Sequence, residues 1–126
     1  MARTILIVED AVSSAETLEI ALGAIPELGV RVAASGKEAL RLLDDDAQQI
    51  AALITDLQLP YMDGFELIER VRARPAGGSV PIIVVSGDSD PRTPERLRRL
   101  GADAHFLKPY SPAEVRRTLE KLLNVR

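Results

Sequence analysis

Thr4-Ile5-Leu6-Ile7-Val8-Glu9-Asp10 is a short, β-branched apolar run that ends on two carboxylates, and its reading decides the fold. Consecutive apolar residues with no polar alternation mark a strand covered on both faces, as in a parallel sheet between helices. Three further runs repeat the design. Ala52-Leu53-Ile54-Thr55 leads into Asp56, Ile82-Ile83-Val84-Val85 into Ser86-Gly87, and His105-Phe106-Leu107 into Lys108-Pro109. In open α/β folds, ligands bind at the carboxyl edge of such a sheet. One edge would then carry three carboxylates, a hydroxyl and an amine, a set suited to a divalent cation and a phosphoryl group.

Segments of helical period separate the runs, so the chain reads as five βα units in one α/β domain spanning residues 1–126. The first strand is expected over Thr4–Val8, and the first helix puts Ala15, Leu18, Ala21 and Leu22 on one stripe before Gly23 ends it. The second strand is expected over Gly29–Ala34. Ser35-Gly36-Lys37-Glu38 reads as a capping box for a helix with Ala39, Leu40 and Leu43 inward, stopping near Asp44-Asp45-Asp46. Beyond Asp56, Pro60 sets a loop, and Asp63-Gly64-Phe65-Glu66 caps a third helix with Phe65, Ile68 and Val71 inward. Arg74–Ser79 is a loop into Pro81 and the fourth strand. Thr93-Pro94-Glu95 fits N-cap, first helical position and acidic first turn, so the fourth helix is expected to start late, near Pro94. Ala104–Leu107 forms the fifth strand, and Ser111-Pro112-Ala113-Glu114 caps the last helix.

With 126 residues, 46% of them hydrophobic, the chain can bury a core of its own. Sixteen basic and nineteen acidic residues leave a net charge of −3, which offers no general attraction for nucleic acid or anionic membrane. The absence of cysteine excludes disulfides and thiolate chemistry, and a single histidine excludes a histidine-rich metal site. No apolar stretch approaches the ~18 residues of a membrane helix, and Met1-Ala2-Arg3-Thr4 opens into a strand rather than a signal peptide. The expectation is a soluble, cytoplasmic protein.

Glu9, Asp10 and Asp56 at one edge would repel one another, and a divalent cation relieves that repulsion. Mg²⁺ suits an all-oxygen donor set. Asp10 and Asp56 are the expected direct ligands, Glu9 acts mainly through a water, and the backbone carbonyl of Gln58 supplies another oxygen. A carboxylate in such a site can also attack phosphorus, a role that falls to Asp56. Lys108 and the Ser86 hydroxyl would contact the transferred group's oxygens, and Gly87 would let a backbone amide approach. A phosphatase or phosphotransferase using an aspartyl phosphate would want a second acid two residues beyond the nucleophile. Gln58 stands there, so the chain reads as no enzyme beyond phosphorylation and dephosphorylation of itself.

These residues resemble the receiver domain of two-component response regulators, in its single-domain, chemotaxis-regulator-like form. The resemblance is carried by Ile5–Asp10, Thr55-Asp56 through Met62-Asp63-Gly64, Val84–Gly87, and Gly101-Ala102-Asp103 through Lys108-Pro109, and it covers essentially the whole chain. It implies a flavodoxin-like, three-layer (βα)₅ fold with a doubly wound parallel five-stranded sheet in the order 2-1-3-4-5, the order for which a member of this family is a standard example. It further implies phosphorylation of Asp56 by a histidine kinase or histidine phosphotransfer protein, Glu9 and Asp10 as the acid pair, Ser86 as the switch hydroxyl and Lys108 as the family's lysine. The position of the family's switch aromatic holds His105, which reads equally as a half-buried strand residue. Ala11-Val12-Ser13-Ser14 departs from the acidic-proline pattern usual there, on a surface kinases read. Gln58 and Asp88 occupy the loop positions that modulate phosphoryl lifetime.

Arg92, Arg96, Arg98, Arg99, Arg116 and Arg117 make the last third locally basic, either as a solvated face or as an output surface formed by the fourth helix, fifth strand and fifth helix. The output partner is then an unidentified protein, with no direct nucleic-acid or membrane binding. A receiver cut from a larger regulator or hybrid kinase fits the same residues.

Overall fold

The computed structural model describes residues 3–75 and 78–124. In chain order the elements are β1 (Arg3–Val8), α1 (Val12–Leu22), β2 (Leu28–Ala33), α2 (Gly36–Asp44), β3 (Ile50–Thr55), α3 (Gly64–Arg72), β4 (Ile82–Ser86), α4 (Thr93–Leu100), β5 (Ala104–Leu107) and α5 (Pro112–Leu123). The strands form one parallel sheet in the order β2-β1-β3-β4-β5, as expected.

Successive side chains of a strand point to opposite faces, and the continuous apolar runs use both. Ile5, Ile7, Ala52, Ile54, Ile83 and Val85 pack under Leu18 and Leu22 of α1 and Val115 and Leu119 of α5. Leu6, Val8, Leu53, Ile82 and Val84 pack under Ala39 and Leu42 of α2, Ile68 and Val71 of α3, and Leu97 of α4. Two helices on one side and three on the other complete the layers. Each fully buried Ile or Leu in these cores contributes on the order of 1.5–3 kcal/mol of transfer free energy.

The helix starts follow the local chemistry. Ser35 Oγ accepts from the Glu38 amide at 3.2 Å, an Asp63 carboxylate oxygen accepts from the Glu66 amide at 2.9 Å, and Ser111 Oγ accepts from the Glu114 amide at 3.3 Å. Three expectations need correction, and one turn is new beside a helix that ends at Asp44 as expected. β2 runs from Leu28 to Ala33, one residue earlier than expected, because its ladder with β1 begins at Arg3↔Leu28. In α2 the buried leucine is Leu42, with Leu40 and Leu43 half-buried beside it. Asp45 caps a separate 3-10 turn over Asp46–Gln48, which periodicity alone does not reveal. The fourth helix starts at Thr93 rather than Pro94, with Arg92 as a helical-conformation N-cap that makes no side-chain capping bond. Ala76 and Gly77 of the Arg74–Ser79 loop, and Met1 and Ala2, lie outside the described residues.

Candidate functional site

Parallel pairing runs one step past the ends of the strands and so sets the first residue of each loop. The Glu9 amide donates to Ala33 O at 2.9 Å, the Asp56 amide to Val8 O at 3.1 Å, and the Lys108 amide to Ser86 O at 2.8 Å. The three side chains meet as a result. Lys108 Nζ lies 2.6 Å from Asp56 Oδ2 and 3.2 Å from Glu9 Oε1. Both carboxylates are buried, at 5% exposure for Asp56 and 3% for Glu9. The Gln58 amide donates to Asp56 Oδ1 at 3.1 Å, which leaves the carboxylate held from both ends.

Gly64 holds the loop beyond Asp56 in place. Its amide donates to Leu57 O at 2.8 Å, and a Cβ there would stand 2.5 Å from Asp56 O and 2.7 Å from Leu57 Cα. Only a residue without a side chain allows α3 to begin so near the strand end. Between them Pro60 and Met62 close a three-residue turn, with the Met62 amide on Pro60 O at 2.8 Å. Tyr61 at its centre has φ 69° and is fully exposed.

Burial is the largest influence on Glu9 and raises its carboxyl above the usual range. The Ala11 amide and Lys108 oppose that rise, while the charge of Asp56 adds to it. Lys108 is raised overall: burial pulls its ammonium down, but the Asp56 hydrogen bond and the charges of Asp56 and Glu9 outweigh it. One ammonium therefore serves two buried carboxylates, and the pocket has an excess of negative charge.

Such a pocket fits a hard divalent cation. Among the described residues no three acidic or histidine side chains converge closely enough to cage a metal by themselves. Mg²⁺ does not require that, since it is commonly bound through one or two carboxylates while keeping several waters. Glu9 and Asp56 are the gathered pair. Asp10 is exposed and, among the described residues, is not a partner of Lys108.

The Ser86 hydroxyl, fully buried at the end of β4, accepts from the Asp88 amide at 2.9 Å. Asp88, expected to modulate an attacking water, has both carboxylate oxygens engaged: Oδ1 accepts from the Asp90 amide at 2.9 Å and Oδ2 from the Thr93 hydroxyl at 3.1 Å. That bond explains the early helix start, because Thr93 turns its hydroxyl inward to Asp88 instead of capping the helix. Asp90, partly exposed, is held at about 2, first by the Arg92 side chain and then by its amide. His105 is half-buried opposite Val84, and its Nε2 is buried without a hydrogen-bond partner among the described residues. Burial holds its imidazole below the usual range, against a smaller upward pull from Asp88.

The arginines in α4 and at its N-cap are largely answered by their neighbours. Arg92 pairs with Asp90, Arg98 and Arg99 share Glu95, and Arg96 stacks its guanidinium 3.7 Å above the Phe65 ring. Arg116 lies 3.9 Å from Glu120. These pairs make it a mixed-charge face. Arg72, which carried no signal in the sequence, sits at the opposite edge of the sheet and binds the carbonyls of Gly78, Val80 and Gly101.

The profile of the response regulator receiver domain matches residues 5–120. The chain belongs to that family. This receiver domain, a module of two-component systems, is 35% identical over 120 residues to an uncharacterised 14.6 kDa protein of Leptolyngbya boryana, covering 93% of the chain and 87% of the relative. It is 32% identical over 89 residues to the two-component response regulator ORR11 of Oryza sativa subsp. indica, covering 71% of the chain, and those residues span 60% of the rice protein's length. A solved structure assigned to a response regulator of Chloroflexus aurantiacus J-10-fl superposes with a TM-score of 0.87 at 34% identity, covering 98% of this chain and 99% of that one. Among the described residues no helix is long and apolar enough to cross a membrane.

Proposed function

We propose that this receiver domain accepts a phosphoryl group on Asp56 from a histidine kinase or histidine phosphotransfer protein, in a Mg²⁺-dependent reaction, and thereby switches a protein-binding face formed by α4, β5 and α5. The observation that carries the reading is the Lys108 ammonium 2.6 Å from a buried Asp56 carboxylate, one strand away from a buried Ser86 hydroxyl. An Asp56 oxygen attacks the phosphorus of a phosphohistidine. The P–O bond forms as the P–N bond breaks, and the departing imidazole takes a proton from solvent. Lys108 and the Ser86 hydroxyl then have charged oxygens to hold, and Lys108 exchanges a carboxylate partner for a phosphoryl oxygen.

Glu9 and Asp56, with the Gln58 carbonyl and exposed Asp10 at the rim, are the oxygen donors for Mg²⁺. When bound, the cation neutralises charge on the transferring group. Almost all the rest is positioning and electrostatics. With Gln58 exposed and carrying no acid beyond Asp56, the domain turns over its own aspartyl phosphate and no external ester. The mixed charge of α4 and the half-exposed Leu107 of β5 suit a protein partner better than a nucleic acid. Because the match spans only 60% of the rice regulator, the same site also suits a receiver within a longer regulator or hybrid kinase.

Intact-mass analysis after exposure to acetyl phosphate and Mg²⁺ tests the proposal. One phosphoryl adduct is expected on the wild type and none on Asp56→Asn. An adduct that persists in the variant, or is absent from the wild type, contradicts it.

A further inference from the structure

The loop between β4 and α4 is tied together by its own side chains in an order that links the Ser86 hydroxyl to the first turn of the helix. Ser86 Oγ accepts from the Asp88 amide, the Asp88 carboxylate accepts from the Asp90 amide and the Thr93 hydroxyl, and the Thr93 amide donates to Asp90 O at 3.0 Å. Thr93 is 4% exposed, so its hydroxyl has little access to water and depends on Asp88 for a partner. The next turn of α4 is anchored separately, by buried Leu97 and by Arg96 on Phe65. The freedom of this region therefore lies between Gly87 and Arg92.

We propose that Asp88 and Thr93 form a latch that holds the Ser86 hydroxyl and the start of α4 in the resting arrangement, and that its release sets how readily the loop follows phosphorylation. The proposal rests on the reading of Asp56 as phosphoacceptor. For Ser86 Oγ to turn toward a phosphoryl group it must leave the Asp88 amide. Asp88 can follow only by giving up Thr93, whose hydroxyl would then be buried without a partner. A hydrogen bond onto a charged carboxylate biases a two-state equilibrium by roughly ten-fold or more. Asp88 and Thr93 are positioning residues here, acting through Ser86 and never on the reacting atoms.

The test compares Thr93→Val, which keeps the shape and removes the hydroxyl, with Thr93→Ser, which keeps the hydroxyl, by amide chemical shifts of Gly87–Arg96. Beryllium fluoride with Mg²⁺ serves as the phosphoryl mimic and defines the wild-type shift from resting to activated positions. Thr93→Val without the mimic is expected to move along that line, with the activated fraction raised roughly ten-fold, while Thr93→Ser stays at the wild-type position. Asp88→Ala, which removes both accepted bonds, is expected to move the same way and serves if Thr93→Val folds poorly. Resting shifts in Thr93→Val and Asp88→Ala that stay at wild type or leave the line, while the wild type responds to the mimic, overturn the latch alone. Equal displacement by Thr93→Val and Thr93→Ser also overturns it, since only packing would then be at issue. A wild type that does not respond to the mimic overturns the phosphoacceptor reading itself.

Discussion

Replacing Arg72 by methionine would remove one guanidinium that joins three separate parts of the chain. Its Nη1 donates to Gly78 O at 2.8 Å and to Val80 O at 2.6 Å, and its Nη2 to Gly101 O at 2.7 Å and Asp103 Oδ2 at 3.2 Å. Asp103 in turn accepts from the Ile82 amide at 2.8 Å, so the end of α3, the entry to β4 and the cap of α4 are held by one side chain. Each hydrogen bond from a charged donor is worth roughly 1.5–3 kcal/mol. With 22% of the side chain exposed, water can replace part of that set, and methionine retains the packing of the stem. The expected net loss is about 2–4 kcal/mol. For a domain of this size that corresponds to a fall in Tm of roughly 8–15 °C. Lysine, a point charge without the planar fork, should restore only about half of it. Urea unfolding followed by far-UV circular dichroism measures both variants. Because Arg72 lies at the sheet edge opposite Asp56, acetyl phosphate should still label the folded variant at the wild-type rate. A loss below about 1 kcal/mol at unchanged m-value, or a lysine variant equal to wild type, would refute the reasoning.

Gly64→Ala should destabilise the domain by about 2 kcal/mol or more, since the new methyl collides with backbone at Asp56 and Leu57. The same urea titration checks this, and shifted Asp56–Gln58 amide signals should accompany it. Lys108→Met should slow labelling of Asp56 by acetyl phosphate on the order of 10²-fold while leaving the fold intact, followed by intact mass against time; labelling at the wild-type rate would remove Lys108 from the proposed chemistry. His105 is the chain's one histidine, so its imidazole can be titrated without ambiguity by NMR. Its midpoint should lie below 6.5. The unfolded chain then binds more protons than the folded one as pH falls from about 6.5 toward the lower folded value, and stability declines across that window. His105→Gln should remove this part of the decline, and a midpoint at or above 6.5 would contradict the burial argument.

The strands could be recognised directly because a sheet covered on both faces needs continuous apolar runs, and Ile5–Val8 and Ile82–Val85 supply them. Three helix starts were equally plain, since Ser35, Asp63 and Ser111 cap through contacts only three residues away. Glu9, Asp56, Ser86 and Lys108 were visible as strand-end residues. Asp88 was placed correctly in the loop beyond Ser86, but its partners were not foreseen. By spacing alone Thr93 reads as an N-cap, but it is the first residue of α4 behind Arg92. The competing acceptor on Asp88 became apparent only once the loop was closed.

Sequence by itself determined the periodicity, the caps and the chemical types that end each strand, because these depend on neighbours a few residues apart. Tertiary structure alone decided that Lys108 bridges Glu9 and Asp56, that Asp10 does not complete a three-carboxylate group with them, that Thr93 turns inward, and that Arg72 joins the carbonyls of Gly78, Val80 and Gly101. The Lys108 bridge follows from sheet order and register, which bring together groups up to 99 residues apart in the chain, while the Thr93 contact depends on how the loop closes over five residues. Burial then forces each charge or hydroxyl to find a partner among whatever the fold has placed beside it.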